Sequence, residues 1–358
     1  MGGLTPLKNF DFFLPGKFIA QMPAKPRDLC RMMVVGKREI TDDVFGNLIN
    51  YVSPGDCLVI NTSKVLPAKM FCKKTTGGKV ELLFLRKHTD STQSSGSQLQ
   101  RWAVLSRDNV RDRELLLLNG VSVSVIDKTL SGEYIIELDK NVNVIDMLLA
   151  YGEMPLPPYI KRRNAGLSVK KMDFEHYQTV YAKEFGSIAS PTAGLHFTQE
   201  LLEKIKNKGV EVVEIVVHIG WATFKPVKSE YIEEHKMYPE GFEITPEASD
   251  KINNCRNSGA RVFAVGTSVV RALETCSDEG GRVTPRSGTT ELFIYPGYRF
   301  KVIDAMITNF HLPKSTPYIM VCTFAGITRI KESYEQARQL NYRFYSYGDV
   351  MLMLENRK

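Results

Sequence analysis

Helical and strand periods alternate through most of the chain. Leu201, Leu202 and Ile205 have helical spacing, with Thr198 as N-cap, Lys206 and Lys208 near the end and Gly209 as a stop. Val210 to His218 follows as a β-branched, apolar run, which predicts a strand buried on both faces. Thr245 as N-cap, Pro246 in the first position and Gly259 as terminator predict another helix, leading into a strand from Arg261 to Val265. Gly266-Thr267-Ser268 then opens a helix that carries Arg271. Such a strand-Gly-helix join holds anions at a helix N-terminus, and it serves equally as a tight turn with a capping hydroxyl. Glu291 to Tyr298 reads as a strand ending in a turn at Tyr295, Pro296 and Gly297. Val302 to Thr308 reads as another, running into Asn309-Phe310-His311-Leu312-Pro313, and a helical pair closes the chain. Nearer the start, a Pro54-Gly55 turn precedes a short strand from Cys57 to Ile60, and Val142 to Tyr151 is a helix.

Between Pro67 and Asp139 the helical period disappears. Val80–Phe84, Trp102–Leu105, Leu115–Leu118, Val121–Val125 and Tyr134–Leu138 are short strands separated by turns. Val121, Val123 and Val125 alternate with Ser122 and Ser124, the pattern of a strand with one wet face. The expected fold class is α/β: a Rossmann-like α/β domain, residues 1–66 and 152–358, with an inserted small antiparallel β-barrel domain, residues 67–151. Ser91 to Ser97 is a low-complexity tip, expected to be a mobile loop. Pro-rich Met154 to Ile160 is stiff and suited to crossing between domains.

A chain of 358 residues has ample sequence for two domains and a sizeable core. Its longest apolar runs, such as Tyr318 to Cys322, are far shorter than the ~18 residues of a membrane span. No signal-peptide layout is present, and a cytoplasmic location is expected. The six cysteines form no CxxC and read as buried free thiols. With 47 basic and 40 acidic residues the net charge is +7, mild but compatible with a polyanionic partner such as RNA.

Candidate chemistry centres on Ser190-Pro191-Thr192-Ala193-Gly194-Leu195-His196-Phe197, a loop before a helix that brings a hydroxyl, an imidazole and backbone N–H groups together. Ligands of open α/β sheets sit beyond the carboxyl ends of strands, so His218 and Thr223 are expected to share a crevice with His196. His311 reaches the same face, although any one histidine is equally a satisfied structural residue. A metal site is not expected, because the spacings match neither HExxH nor CxxC. Dinucleotide (GxGxxG), nucleoside-triphosphate (GxxxxGKS/T) and hydrolase (GxSxG) signatures are absent. The basic stretch Lys161-Arg162-Arg163 is either a solvated face or a nucleic-acid contact.

Longer strings go further. PTAGLHF, TNFHLPKST, IYPGYRFKVIDAMITNFH, MPLPPYIKR, YQTVYAKEFGSIASPTAGLHF and FYSYGDVML closely resemble the S-adenosylmethionine:tRNA ribosyltransferase-isomerases of queuosine biosynthesis. The resemblance runs from about Asp11 to Met351, dense after Met154 and thin between roughly Lys87 and Asn143. It implies transfer and isomerisation of the ribosyl unit of S-adenosylmethionine onto 7-aminomethyl-7-deazaguanine at the tRNA wobble position. The products are epoxyqueuosine-tRNA, adenine and methionine, with no metal or redox cofactor and the protein acting as a monomer. On this resemblance His196 is the expected acid–base group, with His311 second and His218 an orienting or alternative group. Pro191, Thr192, Ala193, Gly194, Phe197, Thr223, Phe224, Tyr295, Pro296, Gly297, Asn309 and Phe310 are expected to hold S-adenosylmethionine. Arg27, Lys64, Arg162, Arg163 and Arg271 are expected on tRNA phosphates, with Phe224 or Tyr298 stacking on the extruded base.

The chain departs from the family pattern in places. NDTRV(I/L)PAR reads Asn61-Thr62-Ser63-Lys64-Val65-Leu66-Pro67-Ala68-Lys69, losing an Asp and exchanging two arginines for lysines, which keep charge but lose bidentate contacts. HVGxGTF reads His218-Ile219-Gly220-Trp221-Ala222-Thr223-Phe224. RD-S-R has become Arg27-Asp28-Leu29-Cys30-Arg31. PTAGLHF is intact. An S-adenosylmethionine-dependent RNA methyltransferase and a non-catalytic tRNA-binding descendant are the alternatives.

Overall fold

Strands that bury both faces put a sheet at the centre of the larger part of this protein. The computed structural model describes residues 4–88, 98–111, 114–130, 132–162 and 166–354. Its strands are β1 (Arg31–Val35), β2 (Ile40–Val44), β3 (Cys57–Asn61), β4 (Ser63–Val65), β5 (Lys69–Lys74), β6 (Lys79–His88), β7 (Leu99–Ser106), β8 (Leu115–Leu118), β9 (Val121–Lys128), β10 (Tyr134–Asp139), β11 (Glu184–Ser187), β12 (Glu211–His218), β13 (Glu240–Ile244), β14 (Val262–Val265), β15 (Arg286–Thr290), β16 (Ala305–Asn309) and β17 (Val350–Leu354). Its helices are α1 (Val144–Tyr151), α2 (Leu167–His176), α3 (Gln199–Asn207), α4 (Pro246–Asn257), α5 (Thr267–Thr275), α6 (Thr316–Ala325) and α7 (Ile327–Gln339).

Two compact units result, one from the described residues within 1–64, 157–163 and 176–358, the other from those within 65–156 and 164–175. In the larger unit a mixed nine-stranded sheet runs β15-β13-β12-β3-β14-β16-β17-β1-β2 among the described residues. Its centre, β12-β3-β14-β16, is parallel throughout. Period-two alternation sorts side chains to its two faces. Cys57 and Val59, Val262 and Ala264, and Met351 and Met353 join one core with α4, α5, α6 and α7; Leu58 and Ile60, Phe263 and Val265, and Val350 and Leu352 join the other with α3.

The helices follow their sequence signals. Thr198 Oγ1 accepts the Leu201 N–H at 3.2 Å and Thr245 Oγ1 the Ala248 N–H at 3.2 Å, each capping a helix that buries its apolar stripe. Two expectations need correction. β12 does not bury both faces: Val213, Ile215 and Val217 are buried in one core, while on the other face Val212 and Val216 are half-buried and Glu214 is exposed. Glu291 to Tyr298 is not a strand; the strand is β15, five residues earlier, and Leu292 to Ile294 instead form irregular backbone along a cleft.

The smaller unit is a closed antiparallel barrel, β10-β7-β6-β5-β8-β9. Alternating burial along β5, β6, β8 and β9 fills it with Met70, Cys72, Val80, Leu82, Phe84, Leu116, Leu118, Val123 and Val125. Glu153 in this unit takes two lysines, Lys69 at 3.0 Å and Lys170 of α2 at 2.5 Å. Residues 91–97, expected as a mobile loop, lie outside the described residues. All six cysteines are buried thiols, none of them in a disulfide. Among the described residues no helix is long and apolar enough to cross a membrane.

Candidate active site

β12, β14 and β16 are parallel to β3, directly or in sequence across the sheet, so their carboxyl ends emerge on one edge, where ligands of such sheets bind. A cleft opens there, with about 1300 Å³ of empty space counted out to its mouth. Gly220 and Thr223 border it after β12, Gly266 to Ser268 after β14, and Thr308 to His311 at the end of β16. Pro191, Thr192 and Ala193 enter from the loop that sequence singled out.

That loop is a tight 3₁₀ turn, Thr192–His196. Glycine is needed at 194 because a Cβ would sit 2.0 Å from Tyr181 Oη and 2.8 Å from Thr179 Cγ2. Arg27 clamps the turn from behind, donating from Nη1 to the carbonyls of Gln178 at 2.7 Å and Leu195 at 3.3 Å. Burial lowers the Arg27 pKa. Arg27 is thus engaged with the loop's main chain, not presented as a free phosphate contact.

Asn309 joins the loop to β16. Its Oδ1 accepts the Thr192 hydroxyl at 2.8 Å, while Nδ2 donates to the Tyr345 carbonyl at 3.2 Å and to His196 Nε2 at 2.9 Å. The Tyr345 carbonyl can only accept, which fixes the amide orientation and makes Nε2 of His196 an acceptor. The imidazole proton therefore sits on Nδ1, 3.2 Å from Cys30 Sγ. His196 is only 4% exposed and lies behind the cleft wall, not on it. Burial first, then the charges of Arg343 and Arg27, push its pKa down to about 3. The expected leading acid–base group is therefore a neutral imidazole that orients Asn309, with both nitrogens engaged.

His311, expected second, does reach the cleft. It borders the cleft, its Nε2 lies 2.8 Å from Thr308 Oγ1, and its backbone N–H is held by Tyr334 Oη at 2.8 Å. Burial lowers its pKa to about 3, so it is neutral near pH 7. His218 borders no part of the cleft. It accepts or donates through Nδ1 to Ser63 Oγ at 2.9 Å, and Ser63 in turn meets Ser187 Oγ at 2.7 Å. Burial lowers its pKa against the opposing pull of Glu184 and Glu243.

Of the residues expected to hold the nucleoside, Pro191, Thr192, Ala193, Thr223, Asn309 and Phe310 border the cleft. Gly194 and Phe197 support it from behind, Phe197 fully buried against Phe45 at 4.9 Å between ring centres. Tyr295, Pro296 and Gly297 do not border it, since the chain passes the cleft three residues earlier. Phe224 belongs to the turn Trp221–Phe224, and its side chain lies outside the described residues.

Arg271 is corrected most sharply. It is 6% exposed, pairs with buried Glu240, and donates to the carbonyls of Leu292 at 2.9 Å and Thr290 at 3.0 Å. A guanidinium so enclosed borders the cleft and is no surface phosphate contact. Tyr298 is committed to Glu274 at 3.1 Å and lies off the cleft. Lys64 rests over the Phe185 ring at 4.7 Å, and Arg162 donates to the Gln21 carbonyl at 2.8 Å. Arg163 lies outside the described residues.

Sequence reasoning missed several wall residues. Tyr159 and Tyr345 pack 4.7 Å apart on the cleft, Tyr159 bonded to Ser346 Oγ at 2.7 Å. Both lie inside strings that carried the resemblance, MPLPPYIKR and FYSYGDVML, which was the available signal. At the cleft rim Lys225 Nζ lies 3.8 Å from the Trp221 ring centre and 3.1 Å from Tyr238 Oη. Glu240 and His235 also border the cleft, and no sequence pattern marks them. Among the described residues no cluster of three His, Cys, Asp or Glu side chains is placed to share a metal ion.

An α/β unit with an open cleft beyond its strand ends, accompanied by a closed antiparallel barrel, defines a class of protein built to bind a small ligand on a fixed scaffold. Comparison with known proteins narrows the class. A family profile described as queuosine biosynthesis protein matches residues 7–353, and the chain belongs to that family. It is 45% identical over 353 residues to the S-adenosylmethionine:tRNA ribosyltransferase-isomerase of Carboxydothermus hydrogenoformans, covering 97% of this chain and 99% of the relative. The protein of the same name from Francisella tularensis subsp. novicida is 41% identical, covering 96% and 98%. A crystal structure of an S-adenosylmethionine tRNA ribosyltransferase from Thermotoga maritima is 32% identical and aligns with a TM-score of 0.53, covering 97% of this chain and all of that one.

Proposed function

We infer that this protein is an S-adenosylmethionine:tRNA ribosyltransferase-isomerase of queuosine biosynthesis. It transfers and isomerises the ribosyl unit of S-adenosylmethionine onto 7-aminomethyl-7-deazaguanine at the tRNA wobble position, releasing adenine and methionine. The observation that carries this is the union of Thr192 with Asn309, which draws the two family strings PTAGLHF and TNFH onto one cleft beyond the strand ends. Neither a methyltransferase nor a non-catalytic descendant is favoured by relatives that share the activity's name over nearly their whole length.

The sulfonium acidifies the neighbouring ribose C5′–H; a base removes that proton, the pair left on C5′ forms a C4′–C5′ double bond as the C4′–O4′ bond opens, and the freed oxygen's pair forms a carbonyl at C1′ and expels adenine, which takes up a proton. The aminomethyl nitrogen then attacks the sugar, and epoxide closure expels methionine. His311 is the imidazole on the cleft and is assigned as the proton acceptor, its ring beside Thr308; burial keeps it unprotonated but lowers its basicity, so the driving force for proton removal comes from the sulfonium. His196 and Thr192 hold Asn309 as a fixed polar edge for the ribose. S-adenosylmethionine is a substrate in this scheme, and no resident cofactor or metal is needed. The protein acts as a monomer in the cytoplasm, where its RNA substrate is found.

The test is to incubate the protein with S-adenosylmethionine and tRNA bearing the aminomethyl base, then weigh the modified nucleoside. Epoxyqueuosine accompanied by free adenine and methionine supports the inference; a methylated base with S-adenosylhomocysteine, or unchanged tRNA, refutes it.

A further inference from the structure

β14 ends at Gly266 with φ +96°, a conformation natural to a residue without Cβ, and α5 begins directly after it. No side chain caps this helix. Val270 N–H bonds the Gly266 carbonyl at 3.3 Å, so the N–H groups of Thr267, Ser268 and Val269 precede the helical ladder and carry the positive end of its dipole. Gly266, Thr267 and Ser268 all border the cleft.

A helix start alone is an ordinary turn. Ser190 supplies a second, independent observation: it is 4% exposed, borders the same cleft, and its hydroxyl has no hydrogen-bond partner. A buried hydroxyl left in that state carries an uncompensated desolvation cost, which a ligand oxygen relieves. The Ser190 loop also lies close to the helix start, since a Cβ on Gly266 would meet Ala193 Cβ at 3.8 Å and Ser268 Oγ at 3.8 Å. Arg271 follows Ser268 by three positions and so lies on the same side of α5. Its guanidinium is matched by Glu240, which also borders the cleft.

Glu240 and Arg271 neutralise each other, so the charge left uncompensated at this end of the cleft is the positive end of α5. Of the groups S-adenosylmethionine carries, only its carboxylate is an anion that such donors take. We propose that the start of α5 with Ser190 binds the α-carboxylate of the methionyl moiety of S-adenosylmethionine. The assignment rests on S-adenosylmethionine being the ribosyl donor.

The experiment compares S-adenosylmethionine with its decarboxylated analogue, which keeps the sulfonium and ammonium, by tRNA-dependent adenine release. Charged hydrogen bonds of this kind give the wild-type protein a preference for the carboxylated donor of about tenfold or more in kcat/KM. Ser268→Asp places a carboxylate in the first turn of α5, where the dipole offsets its burial, and thermal unfolding confirms that the variant is folded. The preference then falls to within about twofold through a raised KM for S-adenosylmethionine, and Ser190→Ala lowers it in the same direction by a smaller factor. A retained preference in Ser268→Asp, or equal loss of both donors, overturns this assignment while leaving ribosyl transfer intact. Release of adenine from neither donor by the wild-type protein overturns the ribosyl-transfer inference and this assignment together.

Discussion

His311 and His196 carry the sharpest consequences at the scale of single residues. Replacing His311 by Gln removes the cleft's proton acceptor and is expected to lower kcat by roughly 10²–10⁴-fold with a smaller effect on KM, measured by adenine release. Because the imidazole is neutral until the pH approaches about 3, the acid limb of the rate profile should lie well below the usual histidine range. His196 governs stability instead. Its folded pKa of about 3 lies below the unfolded value of ~6.5, so the unfolded chain binds the extra proton between them. Stability conferred by the neutral imidazole is complete above pH ~6.5 and is lost as the pH falls, by at most about 1.4 kcal/mol per unit. Denaturant titrations of His196→Gln should show a weaker pH dependence between pH 6.5 and 5 than the wild type; an equal slope would remove His196 as the cause. The sequence string around His196 gave correct neighbours and the wrong face. The loop string puts an imidazole beside Thr192, but its hydrogen bond to Asn309, and with it the place behind the cleft wall, is seen only in the structure.

At the scale of elements, the loop Thr192–His196 is held by shape. Gly194→Ala forces a Cβ against Tyr181 Oη, and Tyr181 is itself buried and packed on Phe197, so the loop shifts. A loss of about 1–3 kcal/mol in stability with a marked fall in kcat/KM is expected, read by calorimetry and adenine release. Ile205→Ala in α3 empties a fully buried site and should cost about 2–5 kcal/mol with activity per folded molecule preserved. Elements with chemical punctuation were legible: Thr198, Thr245, Pro246 and Gly259 mark α3 and α4, and the Val121–Ser124 alternation marks the barrel. Elements without it were not. β17 is five apolar residues, a length and composition that fit a helix turn as well as a strand. Glu291 to Tyr298 has strand-forming residues, yet β13 pairs with Arg286–Thr290, whose polar sequence gives no such signal.

The whole molecule carries a net charge of +7, suited to a polyanionic substrate. Apparent affinity for tRNA should fall steeply with salt, near-linear on a log–log plot, while KM for S-adenosylmethionine changes little; equal salt dependence of both would argue against a phosphate-borne contact. The central claim is that the sugar, not the methyl group, of S-adenosylmethionine passes to RNA in the cleft beyond β12, β14 and β16. Two labelled donors decide it, one carrying isotope in the ribose and the other in the methyl group. Ribose label is predicted in the tRNA, with methyl label recovered as free methionine; methyl label in the tRNA, or none of either, contradicts the account.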